Sequence, residues 1–513
     1  MERRDLPAEL LTCAQMKEAD RLAMLGGRSG EQLMEAAGAA VAKVALRLLG
    51  GTSRIGVLCG PGANGGDGFV AARLLREAGC AVDLALLGSP GALQGEAARA
   101  ASKWSAQPLA LDALALEDCD LAIDAIFGAG LARPLEGAAL SLVQRANAWA
   151  RASGRPLVAV DIPSGIDGDS GRALGGAIEA THCVTFFRLK PGHLLLPGRR
   201  HCGRLELAQI GVPESCLAEI APKICANVGG QWGHLLPRPG LESHKYTRGH
   251  VLVASGGAMH TGAARLAARG ALRAGAGLVT IASPSDALRV HAGHATAIML
   301  ARADESADLV ALLQDRRKNA VALGPGLGVG ARTRHLVEAA LRDPQGRAVV
   351  LDADALTSFQ GDLAGLTSLI AAGGGPVALT PHEGEFARLF GSFPHEISKL
   401  ERARAAAALA GAVVVLKGAD TVVAAPEGRA CVSCLDAPWL ATAGAGDVLA
   451  GILVGLLAQG MPAFEGASCA VFLHARAAQI FGPGLIAEDI PESLPKVFAE
   501  IWGERAERDD FSR

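Results

Sequence analysis

The sequence predicts an α/β protein with two domains, each built on a largely parallel, doubly wound sheet. The chain has 513 residues, which is longer than a single hydrophobic core usually supports. In both halves, short apolar runs alternate with helical patterns, as in sheets that helices cover on both faces. A Pro- and Gly-rich stretch between Gly211 and Gly249 separates the halves. We therefore expect one domain at residues 1–222 and another at residues 233–505.

The composition describes a folded protein whose net charge gives no reason to expect a polyanionic partner. Half of the residues are apolar, 20% are charged and the formal net charge is −3, so neither nucleic acid nor an anionic membrane is an expected partner. Eleven cysteines are scattered along the chain, and the one C-x-x-C pair, Cys431 and Cys434, has no second pair at zinc-finger spacing. We expect reduced thiols, a cytoplasmic location and no signal peptide.

In the first half, a helical pattern extends from Leu11 to Leu49 and strand-like runs follow it. The segment GPGANGGDG, Gly60 to Gly68, lies between the first of these runs and a helix, where main-chain N–H groups can bind phosphate. It has neither the G-x-G-x-x-G spacing nor the Walker lysine. Two interpretations therefore stay open, a phosphate-binding loop and a simple tight turn.

Polar side chains follow the next strands of the first half. Asp124 and Asp161 end two predicted strands, and such positions share the ligand-binding edge of a parallel sheet. Asn64, Asp124 and Ser164 offer oxygen ligands for a monovalent or divalent cation. Lys190 follows the run VTFFRL and could transfer a proton if it is desolvated. The alternatives are turn-capping aspartates and a solvated lysine.

The second half has the same strand–loop–helix architecture, without a detectable repeat period. Its most apolar window runs from Leu440 to Leu457 and contains a single charged residue, Asp447. Burial of an unpartnered carboxylate is costly, so this position requires a reason. We interpret the window as a buried helix and not as a membrane span, because glycines and Asp447 interrupt it.

Motifs in both halves resemble a known family. The first half contains, in order, LLTCAQMKEADRLA, LMEAAG, GANGGDGFVAARLL, DAIFGAGL, DIPSGIDGD and FFRLKPG, and over about residues 10–215 it resembles the epimerase domain of the NAD(P)H-hydrate repair enzymes. The second half contains GAARLAARGALRAGAGLVT, LGPGLG, VLDADAL, TPHEGEF, KGADT and GAGDVLAG, and over about residues 235–500 it resembles their dehydratase domain. The resemblance implies a Rossmann-like first domain and a ribokinase-like α/β/α second domain.

For the first domain, the resemblance implies interconversion of R- and S-NAD(P)HX at the C6 hydroxyl. Asn64, Asp124 and Ser164 would hold a potassium ion. Asp161 is expected to transfer the proton and Lys190 to assist it, because loss and return of a hydroxyl need a positioned acid or base. The substrate-binding residues would be Ala63, Asn64, Gly65, Gly66, Asp67, Gly128, Ala129, Gly130, Leu131, Ala132, Arg133, Pro134 and Asp161.

For the second domain, the resemblance implies dehydration of S-NAD(P)HX to NAD(P)H at the expense of ADP, giving AMP and phosphate. Phosphorylation turns the C6 hydroxyl into a good leaving group. Asp447 would take the proton of that hydroxyl, while Gly444, Gly446 and the helix N-terminus accommodate phosphate oxygens. The alternative function of Asp447 is an N-cap of this helix.

Further binding residues follow from the same resemblance. Asp352 and Asp354 would contact magnesium through water. Several positions depart from the family pattern: Ala63 replaces a second asparagine, Ala443 a glycine, Ala445 a threonine and Tyr246 a glycine, and DAPWLAT stands where a glycine-asparagine-proline pattern is common. The predicted nucleotide-binding residues are Lys417, Gly418, Ala419, Asp420, Thr421 and Gly446, and the predicted substrate-binding residues are Ala263, Gly326, His382 and Asp447.

The expected substrates are therefore NADHX, NADPHX and ADP, with potassium and magnesium as cofactors and a homo-oligomer as the assembly. Two other function classes remain open. One is a ribokinase-like kinase of a small alcohol, with a regulatory first domain and a stable phosphomonoester as its product. The other is a non-enzymatic binding scaffold, which the presence of Asn64, Asp161 and Lys190 argues against.

Overall fold

The chain divides into two compact units, residues 9–225 and the part that begins at Ala226. The computed structural model describes residues 7–50, 53–394 and 396–510, with side chains as far as Gly503. The first six residues of the predicted N-terminal domain therefore lie outside the described residues. The predicted α/β class with parallel sheets is confirmed in both units.

The first unit contains a parallel sheet with the strand order β3–β2–β4–β5–β6–β7, and β1 pairs separately with β8 in antiparallel orientation. From β2 the chain continues to β3, which lies beside one edge of β2, and then to β4, which lies beside the opposite edge. The topological switch point therefore lies between β2 and β4. The strands are β1 (Glu9–Leu10), β2 (Arg54–Cys59), β3 (Ala81–Leu86), β4 (Leu121–Ala125), β5 (Leu157–Val160), β6 (His182–Phe186), β7 (Arg204–Ala208) and β8 (Ile224–Ala226).

The helical pattern of residues 11–49 forms two helices, α1 and α2, separated at Gly26–Ser29. Each helix begins with a capping box, Thr12 with Gln15 and Ser29 with Gln32, so the serine terminates the predicted continuous run. The helices of this unit are α1 (Cys13–Leu25), α2 (Gly30–Leu49), α3 (Ala63–Glu77), α4 (Gly95–Ser102), α5 (Gly137–Ser153), α6 (Gly198–His201) and α7 (Cys216–Ile220).

Two glycines allow α3 to begin directly at the switch point. A Cβ at Gly60 would lie 1.8 Å from the carbonyl oxygen of Ile126, and a Cβ at Gly65 would lie 1.9 Å from the carbonyl oxygen of Gly60. Neither distance is possible for a real side chain, so the loop after β2 and the first turn of α3 pack backbone against backbone. This contact brings the ends of β2 and β4 together at one edge.

The second unit contains nine described strands in the order β17–β16–β15–β14–β13–β12–β9–β10–β11. All neighbours from β11 to β15 pair in parallel, and β15, β16 and β17 form an antiparallel meander. The strands are β9 (His250–Ala254), β10 (Leu278–Ser283), β11 (Met299–Arg302), β12 (Lys318–Leu323), β13 (Ala348–Leu351), β14 (Val377–Leu379), β15 (Val413–Leu416), β16 (Val422–Ala424) and β17 (Ala430–Val432).

The most apolar window of the sequence forms α16, a helix buried along nearly its whole length, as predicted. Among the described helices, none combines the length and the apolarity required to cross a bilayer. The helices of this unit are α8 (Thr261–Arg273), α9 (Ser285–Ala292), α10 (Ser306–Leu313), α11 (Ala331–Leu341), α12 (Asp354–Thr357), α13 (Leu363–Gly373), α14 (Glu383–Phe390), α15 (Lys399–Ala410), α16 (Ala445–Ala458), α17 (Ala463–Phe481) and α18 (Asp489–Asp510).

Helices α8 and α16 pack at unusually short range. A Cβ at Gly451 would lie 2.1 Å from the carbonyl oxygen of Ala267, and a Cβ at Gly455 would lie 2.7 Å from that of Ala271. A step of four residues along α8, from Ala267 to Ala271, matches a step of four residues in the same direction along α16, from Gly451 to Gly455. The two helices therefore run in the same direction with their backbones in contact.

We predict that Gly451→Ala lowers the free energy of unfolding by about 1–3 kcal/mol, because the helices must move apart to admit the methyl group. Thermal and denaturant unfolding of the full chain measure this change. Gly503→Ala is the matched control, since a Cβ at this helical glycine meets no atom within 4 Å. Equal stability of the two variants would contradict the close packing.

Candidate active sites

A cavity of about 460 Å³ opens at the switch point of the first unit. Its lining joins the start of α3, the loop after β4, and one face of α1. Of the predicted residues, it contains Ala63, Asn64, Asp67, Gly128, Ala129, Gly130, Leu131, Asp161 and Lys190. Gly65 and Gly66 are instead buried inside the first turn of α3, and Ala132, Arg133 and Pro134 are exposed outside the lining.

Asp161 has a left-handed backbone, with φ at +65°, which is uncommon for a residue with a side chain. Two hydrogen bonds hold its carbonyl oxygen, one from His193 Nε2 at 2.8 Å and one from Cys183 Sγ at 3.3 Å. His193 Nδ1 in turn accepts from the backbone N–H of Lys190 at 2.9 Å, which fixes the tautomer of the ring. Nε2 of this ring thus positions Asp161 and Nδ1 positions the backbone of Lys190, and Cys183, His193 and Cys202 form a buried cluster.

The Asp161 carboxylate is held in its charged form. Its Oδ1 accepts from Lys190 Nζ and, at 3.1 Å, from Thr185 Oγ1, while Oδ2 accepts from the Ala129 N–H at 3.1 Å. Burial acts to raise the pKa of Asp161, but the charge and hydrogen bond of Lys190, with contributions from His193 and Ala129, outweigh it and lower the pKa. Lys190 is 2% exposed, so the alternative of a solvated lysine is wrong.

Asp124 and Ser164 lie in direct contact below the cavity. Asp124 is completely buried, and its carboxylate accepts from Ser164 Oγ at 2.6 Å and from the Ser164 N–H at 2.8 Å. Burial raises the pKa of Asp124 to about 6, although the hydrogen bonds from Ser164 and Ile126 act to lower it. Asn64 Nδ2 is buried without a partner among the described residues, and its Oδ1 lies 2.8 Å from the Cβ position of Gly128.

Sequence reasoning missed Asp20, which lines the same cavity from α1. Burial and the Asp161 charge raise the pKa of Asp20 to about 6, against the opposing charge of Lys190. The pKa of Asp67 is raised well above its usual range, first by burial and then by Asp161 and Asp20. The spacing of Cys13, Lys17 and Asp20 on one helical face was the available signal.

In the second unit, Asp447 is the third residue of α16. Gly444 occupies the N-cap position with a left-handed φ of +86°, so the interpretation of Asp447 as the N-cap is wrong. His474 Nε2 donates to the carbonyl oxygen of Ala445 at 2.8 Å, and burial lowers the pKa of His474 to about 4, so the ring is neutral at physiological pH. This histidine, which the sequence did not suggest, fixes the first turn of the helix.

Lys417, whose side chain is partly exposed, forms an ion pair with the buried Asp352 next to Asp447. Lys417 Nζ lies 2.7 Å from Asp352 Oδ1 and 3.8 Å from Glu385 Oε2, and a Cβ at Gly446 would lie 3.4 Å from the same nitrogen. Burial acts to lower the pKa of Lys417, but the carboxylates of Asp352, Glu385 and Asp447 raise it. The pKa of Asp447 is raised to about 6, first by burial and next by Asp352, while Lys417 opposes both.

The KGADT segment is organised mainly by its own side chains. Thr421 Oγ1 accepts from the Gly418 N–H at 3.1 Å and donates to the Gly418 carbonyl at 2.7 Å. Asp420 is buried and pairs with Lys399 Nζ at 2.8 Å. Lys399 also donates to the Lys417 carbonyl at 3.2 Å. Lys399 lies 18 residues before Lys417 in the sequence, which explains why no sequence motif included it. Gly418 and Ala419 are the exposed part of this loop.

The remaining predicted residues occupy two further places. His382 is exposed and caps α14, where its Nδ1 accepts from the N–H groups of Gly384 at 2.9 Å and Glu385 at 3.2 Å. The Cβ position of Gly326 lies 3.4 Å from Ala263 Cβ, so these two are neighbours.

The second-unit aspartates retain free oxygens. Asp354 Oδ2 accepts from the Gly328 N–H at 2.8 Å. Within the part of the chain that the structure describes, Asp352 Oδ2 and Asp354 Oδ1 have no hydrogen-bond donor.

Both units are thus α/β ligand-binding domains whose ionisable groups gather at the carboxyl ends of parallel strands. A family profile described as YjeF-related protein N-terminus matches residues 30–192, and one described as NAD(P)H-hydrate dehydratase matches residues 251–490. A bifunctional NAD(P)H-hydrate repair enzyme of Moorella thermoacetica is 37% identical over 96% of this chain and 97% of its own, and one of Thermofilum pendens is 34% identical over 94% of each. The chain belongs to the family of bifunctional NAD(P)H-hydrate repair enzymes.

Two solved structures also resemble about half of the chain. An ADP/ATP-dependent NAD(P)H-hydrate dehydratase from Bacillus subtilis, co-crystallised with ATP/Mg²⁺, is 30% identical, with a TM-score of 0.46, and covers 52% of this chain and 94% of its own. A ribokinase-like superfamily protein from Enterococcus faecalis is 25% identical, with the same TM-score of 0.46, over 52% of this chain and 92% of its own.

We predict that Asp447→Asn stabilises the protein in a pH-dependent manner. Folding raises the pKa of Asp447 from 3.8 to about 6, so the unfolded state binds fewer protons between these values and ionisation subtracts stability as the pH rises. The unfolding midpoint of the variant should exceed that of wild type above pH about 6 and match it below pH 3.8. Differential scanning calorimetry at both pH values checks this, with the exposed Glu242→Gln as control; an equal gain at both would refute it.

We predict that Lys190→Met lowers the free energy of unfolding by about 3–5 kcal/mol, because the Asp161 carboxylate remains buried without its cation. The double variant Lys190→Met/Asp161→Asn should regain part of that loss, since it removes both charges. Denaturant unfolding measures the free energy of unfolding of wild type, the single variant and the double variant. Arg151→Met removes a partner from the exposed pair with Glu179 and should leave the midpoint close to that of wild type.

Proposed function

We propose that the chain repairs hydrated nicotinamide cofactors in two steps. The domain predicted at residues 1–222 interconverts the R and S epimers of NADHX and NADPHX. The domain predicted at residues 233–505 dehydrates the S epimers to NADH and NADPH, with ADP as the phosphoryl donor and AMP and phosphate as products. The observation that carries the proposal is the family membership over nearly the whole chain, together with ionisable groups gathered at a sheet edge in each unit.

In the first unit, a proton must reach the C6 hydroxyl and another must leave the water that replaces it. Asp161 suits the second task, because its lowered pKa keeps it ionised and its carboxylate faces the cavity. Lys190 keeps Asp161 charged and in place. The main-chain N–H groups at the start of α3 are suited to the substrate phosphates, because this helix N-terminus opens into the same cavity.

In the second unit, the hydroxyl of the S epimer attacks the terminal phosphorus of ADP, and AMP leaves with the electron pair of the broken P–O bond. Asp447 receives the hydroxyl proton, and its raised pKa suits a base that works near neutral pH. Phosphate then departs from C6 with the electron pair of the C6–O bond, while the lone pair of the ring nitrogen forms the N1–C6 double bond. Loss of a proton from C5 to water gives the C5–C6 double bond of NADH or NADPH. Lys417 and the first N–H groups of α16 offer positive charge to the transferred phosphoryl group.

Two metal ions belong to the proposal. Asn64, Asp124 and Ser164 would hold potassium, and the fit rests on the fully buried Asp124 carboxylate, with the Asn64 amide oxygen and the Ser164 hydroxyl as further oxygen ligands. Asp352 and Asp354 would hold magnesium through water, because each keeps one free carboxylate oxygen. Potassium would supply positive charge near the substrate, and magnesium would neutralise the nucleotide phosphates.

We further propose a cytoplasmic homo-oligomer. The eleven cysteines are scattered along the sequence without the spacing of a disulfide framework, which supports a reducing compartment. Of the predicted nucleotide residues, Lys417, Gly418, Ala419 and Gly446 are suited to contact ADP. Asp420 and Thr421 would act by shaping the loop, because their side chains are committed to Lys399 and Gly418.

We predict that the full chain, given mixed epimers of NADHX with ADP and magnesium, restores the dihydronicotinamide absorbance completely. Asp447→Asn should abolish recovery because the hydroxyl keeps its proton. Asp161→Asn should limit rapid recovery to the S fraction because the R epimer is no longer converted. Absorbance together with product chromatography makes the measurement, and accumulation of a stable phosphomonoester instead of NADH would identify a small-alcohol kinase and refute the proposal.

A further inference from the structure

One face of α1 forms a wall of the first-unit cavity. Cys13, Met16, Lys17, Asp20 and Met24 all line it, and their spacing of three and four residues places them on a single helical stripe. Neither the predicted substrate set nor the predicted proton-transfer groups include any of these residues. This wall therefore brings a carboxyl group to the cavity that the function proposed above does not use.

Asp20 is free to react. Among the described residues, no donor or cation lies within hydrogen-bonding or ion-pair distance of its carboxyl group. Asp161 and Lys190 are near enough for their charges to influence it. Its pKa of about 6, raised first by burial, means that Asp20 exchanges a proton readily near neutral pH.

Asp161 cannot serve as both donor and acceptor with equal ease. Lys190, Thr185 and Ala129 donate hydrogen bonds to its carboxylate, and each of these interactions favours the charged form. A hydroxyl leaving C6 nevertheless needs a proton at its oxygen, since hydroxide is a poor leaving group. The cavity must therefore provide an acid other than Asp161.

We propose that Asp20 is this acid, acting on the substrate's C6 oxygen while Asp161 acts on the water that returns. The inference rests on the proposed epimerase function. The Asp20 proton moves to the C6 hydroxyl, the C6–O bond breaks with its electron pair on oxygen, and water departs. The lone pair of the ring nitrogen forms the N1–C6 double bond. Water then adds to the other face of C6, its proton passes to Asp161, and exchange with solvent restores both carboxyl groups.

The other ionisable side chains that line the cavity suit this role less well. They are Cys13, Lys17, Asp67, Glu96, Asp161 and Lys190. The pKa of Asp67 is raised well above its usual range, so this carboxyl group gives up its proton less readily than Asp20. Glu96 is partly exposed and lies 3.8 Å from Arg99, and Lys17 is exposed to solvent.

We predict that Asp20→Asn in the full chain lowers kcat for R-to-S conversion of NADHX by about 10²–10⁴-fold, the usual contribution of a positioned acid. Conversion is followed without ADP by chromatographic separation of the epimers, with the uncatalysed rate subtracted. In wild type, kcat/KM should fall as the pH rises through about 6, and this fall should be absent in Asp20→Asn. Asp20→Glu should recover part of the rate.

Glu18→Gln is the matched control, because it neutralises a carboxylate on the same helix that pairs with Arg21 and not with the cavity. It should keep the wild-type rate. Dehydration of S-NADHX should be unchanged in Asp20→Asn and the unfolding midpoint should not fall below that of wild type, which shows that the chain is folded. A wild-type rate and pH profile in Asp20→Asn, or loss of both in Asp67→Asn alone, would overturn the inference while the epimerase function stands. A wild-type protein that equilibrates the epimers no faster than buffer would overturn the epimerase function itself.

Discussion

Each unit pairs a largely buried lysine with an aspartate just beyond the end of a strand, and the arrangement of the neighbouring groups depends on these pairs. Lys190 holds Asp161 charged just beyond β5, and Lys417 donates a hydrogen bond to Asp352 just beyond β13. Desolvation would otherwise neutralise these side chains. Burial raises the pKa values of the carboxyl groups beside these pairs, Asp20 and Asp447, and the opposing charges of Lys190 and Lys417 do not offset it.

The groups that position these aspartates and helices differ from the groups that exchange protons. His193, Thr185 and the Ala129 N–H all act on Asp161, and His474 acts on the first turn of α16. None of these groups needs to change its protonation state. The carboxyl groups suited to exchange a proton near neutral pH are those with few hydrogen bonds, Asp20 and Asp447, whereas Asp161, which several donors satisfy, stays charged and acts as an acceptor.

Local sequence patterns were sufficient to predict the fold and part of each candidate site. The glycine segment after β2 and the apolar window of α16 were visible because close packing and burial restrict residue type at consecutive positions. Asp20, Lys399 and His474 were missed because their significance comes from side-chain neighbours far away in the chain. The N-cap alternative for Asp447 was wrong because Gly444, with its positive φ, already ends the preceding turn.

The backbone contact between α8 and α16 has a mechanical consequence for the second unit. Since Ala267 meets Gly451 and Ala271 meets Gly455, continuing the register one turn towards the N-termini sets Ala263 opposite Asp447. At Gly451 and Gly455, backbone atoms of α8 and not flexible side chains face α16. The helices therefore cannot approach or separate by a change of side-chain rotamer at these positions. The backbones of these two helix ends are therefore held at a fixed separation, so the main chain of Asp447 and a ligand that rests on Ala263 cannot move apart independently.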